Sequence, residues 1–143
     1  MKLRKRLIGL MSLLAVLFLL PGCSGRMNVT IKEGTRFPVG SKVHFLRDNS
    51  GDPLQLEGRI ISYLLADGYE LTYWDYDADF HITYGHAGGM VPLYSGGTIT
   101  VNSLTISITD KYGNIVAFGS MSGGRMNVDT ALTVFFSELK NYQ

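Results

Sequence analysis

Thr98-Ile99-Thr100-Val101-Asn102-Ser103-Leu104-Thr105-Ile106-Ser107-Ile108-Thr109, then Asp110-Lys111-Tyr112-Gly113-Asn114, then Ile115-Val116-Ala117-Phe118-Gly119-Ser120, is the stretch on which the fold turns. Leu104, Ile106 and Ile108 alternate with hydroxyl side chains, which is the two-residue period of a half-buried strand. Ile99 and Val101 alternate in the opposite phase, so a bulge near Asn102 and Ser103 is expected to reconcile them. The polar, glycine-containing pentapeptide Asp110 to Asn114 reads as the turn of a hairpin whose second arm begins at Ile115.

Downstream, Leu132, Phe135, Phe136 and Leu139 recur at i, i+3, i+4 and i+7, predicting an amphipathic helix over Val128 to Asn141 with Asn127 or Asp129 as its cap. Upstream, further strands are expected over Met90 to Tyr94, Phe80 to Tyr84 and Tyr69 to Trp74, with turns at Gly88-Gly89 and Gly96-Gly97. Before them, Leu56, Ile60 and Leu64, flanked by Ile61 and Leu65, give a second helix one apolar face. Asp52 is the expected cap, Pro53 suits the first turn, Gln55 the reciprocal position of a capping box, and Gly68 a left-handed stop. Lys42 to Leu46 and Met27 to Ile31 complete the strands. The expected class is α+β: one domain, a mostly antiparallel sheet, and two amphipathic helices packed on one face of it.

The N-terminus has a different chemistry. Lys2, Arg4, Lys5 and Arg6 precede an apolar run from Leu7 to Leu20, the pattern of a removable signal peptide spanning residues 1–22. A membrane-crossing helix needs about 20 apolar residues, and Pro21-Gly22 interrupt the run before that length. The chain's single cysteine falls directly after it. Leu20-Pro21-Gly22-Cys23 resembles the lipobox of bacterial lipoproteins, with Pro21 an unusual filler. The resemblance implies cleavage before Cys23, a diacylglyceryl group on its sulfur and an acyl chain on its amine, a palmitate-type anchor to the membrane. Two such chains hold a protein stably at a bilayer. An ordinary secretory signal or an uncleaved anchor are the alternatives. Ser24 stands where the family's inner-membrane retention signal places Asp, which in a host with two membranes implies the outer membrane, facing the periplasm. Residues 23–27 would then be a short tether and residues 28–143 the envelope domain, held close to the bilayer.

Losing residues 1–22 removes four of the thirteen Lys and Arg and none of the twelve Asp and Glu, so the remainder carries 9 − 12 = −3. A mildly acidic domain without a basic stripe offers nucleic acid no electrostatic footprint. With Cys23 lipidated, no disulfide can staple the fold.

Asp75, Asp77, Asp79 and His81, with His86 nearby, are the candidate metal ligands: on a strand, alternate residues share a side and would gather carboxylates beside an imidazole. The pattern departs from an EF-hand loop, which needs Gly and Glu where Phe80 and His86 stand. The competing reading is a solvated acidic turn with Tyr76, Ala78, Phe80 and Ile82 facing inward. Tyr73, Trp74 and Tyr76, within a wider set that includes Tyr63, Tyr69, Tyr84 and Tyr94, are candidates for binding a partner or a sugar, since their rings combine large area with a polar tip. Strand packing also explains part of this enrichment. Gly119-Ser120-Met121-Ser122-Gly123 superficially approaches the G-x-S-x-G elbow, but Met121 occupies the nucleophile position. His44, His81 and His86 have no evident nucleophile to activate, and no nucleotide-binding glycine pattern is present. No cofactor and no catalytic residue are expected. Gly-Arg-Met-Asn-Val occurs at residues 25–29 and again at 124–128.

From Leu54 to Tyr142 the order of elements resembles small envelope lipoproteins of unknown function and, more distantly, the N-terminal α/β domain of TolB-like proteins. The matching features are Ala66-Asp67-Gly68-Tyr69 at a helix end, Asp77-Ala78-Asp79-Phe80 leading into a strand, and the hairpin through Gly113 into Ile115 to Gly119. Phe118 stands where such proteins carry Trp. The resemblance implies the fold and an accessory or assembly role in the envelope. The functional expectation is a non-enzymatic, lipid-anchored domain that docks to another envelope protein. A module for a small ligand, glycan or divalent cation, centred on Asp75 to His86, is the alternative.

Overall fold

The hairpin expected around Asp110 to Asn114 forms the centre of the sheet. The computed structural model describes residues 26–46, 55–87 and 100–143. Cys23 and its lipobox, Asp52 and Pro53, the Met90 to Tyr94 run with Tyr94, and the two double-glycine turns lie outside the described residues. Element order is β1 (Asn28–Ile31), β2 (Lys42–Phe45), α1 (Leu56–Ala66), β3 (Glu70–Leu71), a single 3-10 turn (Asp75–Asp77), β4 (Phe80–Ala87), β5 (Thr100–Asp110), β6 (Ile115–Asn127) and α2 (Val128–Lys140).

The strands form one six-stranded sheet in the order β1-β6-β5-β4-β2-β3. Pairings β1–β6, β6–β5 and β5–β4 are antiparallel, while β2 runs parallel to both β4 and β3. The class is therefore α+β, with the mostly antiparallel sheet anticipated. The predicted bulge is present as a register shift between Val101 and Ser103, and a second lies between Ile108 and Thr109. Each adds a local kink that lets one long strand change phase without breaking its ladder.

Alternation sorts the two faces. Phe80 and Ile82 of β4, Leu104, Ile106 and Ile108 of β5, and Ala117 and Met121 of β6 are buried together with Leu56, Ile60 and Leu64 of α1 and Leu132, Phe135, Phe136 and Leu139 of α2. Tyr63 stacks on Phe136 at 5.2 Å between ring centroids, so α1 and α2 lock through aromatic surface as well as through the Arg59–Asp129 ion pair. The helices are held together on this side of the sheet, whose other face carries His81, Thr83, Thr105, Ser107 and Ser120.

Helix ends follow local chemistry, with one departure. Asn127 caps α2, its side chain accepting from Asp129 N at 2.7 Å. Gly68, at φ +84°, follows α1 in the left-handed conformation, as its position predicts. Gln55 is not the third residue of a capping box. It sits immediately before Leu56, itself left-handed at φ 54°, and its side chain makes no cap. Leu65 also departs from the expected apolar face and is exposed.

Of the run from Tyr69 to Trp74, only Glu70–Leu71 is strand. Tyr69 is buried instead, donating to the Phe37 carbonyl at 3.2 Å, and burial raises its pKa above the usual phenol value. At the other extreme, β6 outruns Ser120 and absorbs the whole Gly119 to Gly123 run. Met121 is buried in the core, and a Cβ on Gly119 would lie 2.5 Å from both Phe135 Cδ2 and Met27 Cε. The glycine thus serves the seating of α2, not a nucleophile elbow. The repeated pentapeptide is not a structural repeat: Asn28 belongs to an edge strand, whereas Asn127 caps a helix.

Candidate docking surface

The segment from Thr72 to Asp79 crosses from β3 to β4 at one end of the sheet. Its two ends are tied to β2. Thr72 N donates to Val43 O at 2.9 Å, Asp79 N donates to Lys42 O at 2.9 Å, and Lys42 N donates to Asp79 Oδ2 at 2.9 Å. Lys42 Nζ pairs with Asp77 Oδ2 at 2.8 Å, and this hydrogen-bonded carboxylate raises the lysine pKa above its ordinary value. Between the anchors, Asp77 N reaches Trp74 O and Ala78 N reaches Asp75 O, closing the 3-10 turn.

His81 Nε2 stands 2.6 Å from Asp75 Oδ1. Since a carboxylate accepts, the imidazole donates there. His44 Nδ1 lies 3.0 Å from the Thr72 carbonyl and donates by the same logic. The parallel β2–β4 register sets His44 beside His81, with ring centroids 5.9 Å apart and edge to face. Thus two histidines hold the segment from below, each through one nitrogen.

This polar frame presents its rings to solvent. Tyr73 is 86% exposed, Trp74 63% and Tyr76 84%. Trp74 and Tyr76 stack at 6.0 Å with planes 30° apart. Of the candidates, Trp74 and Tyr76 are therefore brought together, while Tyr73 is exposed without a ring contact to either, and no packing role in the core accounts for the three. Tyr63 and Tyr69 are spent on helix packing and on the carbonyl of Phe37.

The acidic candidates are arranged differently from expectation. Asp75 to Asp77 is a 3-10 turn, not a strand, so alternate residues do not share a face. Asp75 goes to His81, Asp77 to Lys42 Nζ and Asp79 to Lys42 N. Tyr76 consequently points outward, while Ala78, Phe80 and Ile82 are buried as anticipated. His86 has the register parity of Ile82 and so lies on the face opposite His81. Among the described residues no group of three or more His, Cys, Asp or Glu is gathered in a way that would hold a metal ion.

Two features escape the sequence. His44 joins the site only through β2–β4 pairing across 37 residues, which no local signal announces. Tyr112, 78% exposed at the hairpin turn, faces the same trough as Tyr76. That turn is built on Asp110, whose Oδ1 accepts from Tyr112 N and Asn114 N, each at 2.9 Å. Asn114 holds the Asp110 carboxyl below the usual carboxylate range, chiefly through its side-chain amide.

No helix among the described residues is long and apolar enough to cross a membrane. No protein-family model matches the chain, and no curated protein matches it. Among solved structures, a DUF4136 family protein from Bacteroides thetaiotaomicron is similar at 12% identity, covering 83% of this chain and 97% of that one, with a TM-score of 0.57. A PelC dodecamer from Paraburkholderia phytofirmans aligns at 15% identity over 79% of this chain and 94% of that one, with a TM-score of 0.44. The first of these likenesses extends over nearly the whole of the solved chain, so this arrangement of sheet and helices is one that another protein shares at very low identity.

Proposed function

We propose that the protein is a lipid-anchored, non-enzymatic envelope lipoprotein that docks to another envelope protein through Tyr73, Trp74 and Tyr76. The carrying observation is the exposure of these rings, 86%, 63% and 84%, on a segment pinned to β2 and β4. Solvent-facing aromatic surface is costly to leave wet and is a recurrent anchor when a partner covers it. A frame that already holds the rings lowers the ordering cost of association.

Orientation supports the same reading. Asn28 registers with Ser120 and, through it, with Thr105 and Gly85, whereas Asp110 and Phe80 lie five residues further along the strands. At about 3.4 Å per residue that is roughly 17 Å. A chain tethered at Cys23 would enter about midway along the β5–β6 hairpin, displaced from the end that carries the aromatic segment, which leaves that segment free to meet a partner.

The test is a photo-crosslinking amino acid at position 73 in cells producing the full-length protein. A single defined protein adduct is expected, lost with Trp74→Ala. Absence of any adduct, or one indifferent to both Tyr73→Ala and Trp74→Ala, refutes the reading.

A further inference from the structure

Away from Tyr73, between the aromatic segment and the Asp110 to Gly113 turn, lies a trough of about 620 Å³ at the end of the sheet. Its floor is His81 and Thr109, which are register partners on β4 and β5. Tyr76 forms one wall and Tyr112 the other, 84% and 78% exposed. We propose that this trough binds a segment of an uncharged polysaccharide chain, a role independent of protein docking at Tyr73.

The chemistry of the walls and floor is that of a sugar ring. A pyranose is amphipathic: its C–H face needs an apolar plane to lie on, and its equatorial hydroxyls need donors and acceptors around the rim. Tyr76, backed by the stacked Trp74, and Tyr112 offer the planes. Thr109 on the floor, and the phenol hydroxyls and the second oxygen of Asp75 on the rim, offer those polar partners. A protein anchor pocket, in contrast, is sealed by apolar neighbours that exclude water, and this trough is open along its length.

Charge argues in the same direction. One oxygen of Asp75 is hydrogen-bonded to His81, and the oxygens of Asp110 are taken up by Tyr112 and Asn114. Lys111 Nζ rests 5.3 Å from the Tyr112 ring centroid. Beyond the floor the same sheet face continues through Thr83, Ser107, Phe118, Thr105 and Ser120, with no Asp, Glu, Lys or Arg at these register positions. The charged side chains at the trough, Asp75, Asp110 and Lys111, are of both signs instead of one, and the face beyond it carries none, an arrangement that suits a neutral, hydroxylated chain better than an ionic one. The volume lies within the range of small-molecule sites.

The experiment uses the full-length lipoprotein in a non-glycosidic detergent. Probes are linear β-linked hexasaccharides of glucose and of N-acetylglucosamine, read by calorimetry and by the fluorescence of Trp74, the chain's one tryptophan. At least one probe is expected to bind, with Tyr76→Ala and Tyr112→Ala each weakening it about tenfold, as loss of an aromatic stacking platform does elsewhere. Tyr112→Phe should retain most of the affinity and Tyr73→Ala all of it. The proposal is overturned if neither hexasaccharide binds, if binding survives both alanine variants, or if a photo-crosslinker at position 112 captures a protein. The two readings share Tyr76 and the Trp74 stacked on it, but the adduct at position 73 is read without sugar, so a failure of hexasaccharide binding leaves the docking reading standing and loss of that adduct leaves sugar binding to be measured.

Discussion

Gly119→Ala is the substitution whose cost the structure specifies most closely. The added methyl would stand 2.5 Å from Phe135 Cδ2, 2.9 Å from Phe135 Cε2 and 2.5 Å from Met27 Cε. Ordinary carbon contacts fall at about 3.5–4.0 Å, so roughly 1 Å must be found. The Met27 methyl is the free end of a flexible chain and can swing aside. Phe135 cannot do so cheaply: it is fully buried and edge-on to Phe136 at 5.4 Å, and Phe136 is stacked on Tyr63. Overpacking of this kind costs about 1–3 kcal/mol, and the jammed Phe135 argues for the upper half. Replacing glycine in extended backbone returns about 0.5–1 kcal/mol, leaving a net loss of roughly 2 kcal/mol. For a domain of this size that is on the order of 6–10 °C in Tm. Gly85→Ala is the control, because its new methyl would meet only the Thr105 hydroxyl at 3.1 Å, on the solvent face. Its Tm should change by a few degrees at most. Phe135→Leu should relieve the clash, so that the double variant is more stable than the two single losses predict. Thermal unfolding followed by circular dichroism measures the four variants beside the parent. Equal Tm values for Gly119→Ala and the parent, or strict additivity with Phe135→Leu, would show that Phe135 does not limit the site.

Cys23→Ser should accumulate as unprocessed precursor without incorporated palmitate, as followed by gel mobility and metabolic labelling; normal maturation of the variant removes the anchor from the account. Asn127→Ala should cost about 1 kcal/mol by chemical denaturation, since Asp129 N loses its acceptor. Asp110→Ala should destabilise the hairpin turn in a pH-dependent way. The folded-state pKa of Asp110 is depressed, so its stabilisation is present above the unfolded carboxylate value of about 3.9 and disappears as pH falls through the lower folded value. The stability gap between parent and variant should therefore be constant near neutrality and close only in acid. A gap that widens on acidification would contradict the assigned hydrogen bonds.

Legibility in the sequence tracks the range of the forces involved. The β5–β6 hairpin, its bulge at Asn102, the α2 stripe and the Asn127 cap depend on neighbours within a turn or a ladder period, and each is readable. The conformation of Asp75 to Asp79 is not, because Lys42, more than 30 residues upstream, decides it: its ammonium takes Asp77 and its amide takes Asp79. That competition converts an apparent strand of alternating carboxylates into a turn and sends Tyr76 outward. Glu70 and Leu71 do not extend into a longer strand, since after Thr72 the chain turns locally, Trp74 N donating to Thr72 Oγ1, and enters the 3-10 turn. Gly119 resembles part of a catalytic motif because the pressure on it comes from Phe135, on a different element. Tyr73 and Trp74 are identifiable as candidates from residue type alone, but their exposure follows from how short β3 is.

The polar frame explains why exposed rings here need not be a liability. Loose aromatic side chains on a flexible loop would collapse onto the nearest apolar surface or promote aggregation. Here Lys42, His44 and His81 each fix a different point of the segment, at Asp77, at the Thr72 carbonyl and at Asp75. Trp74 and Tyr76 then gain their stability from each other instead of from the core. Weakening the frame should accordingly reduce binding more than it reduces folding. Lys42→Met removes the ammonium while keeping the apolar stem, at a site open to solvent where surface ion pairs contribute little to global stability. Its Tm should stay within a few degrees of the parent, while the yield of the position 73 adduct falls severalfold because the rings are no longer held in one arrangement. If the adduct persists undiminished, the rings act without preorganisation, and the hydrogen bonds around Asp77 serve only to close the turn.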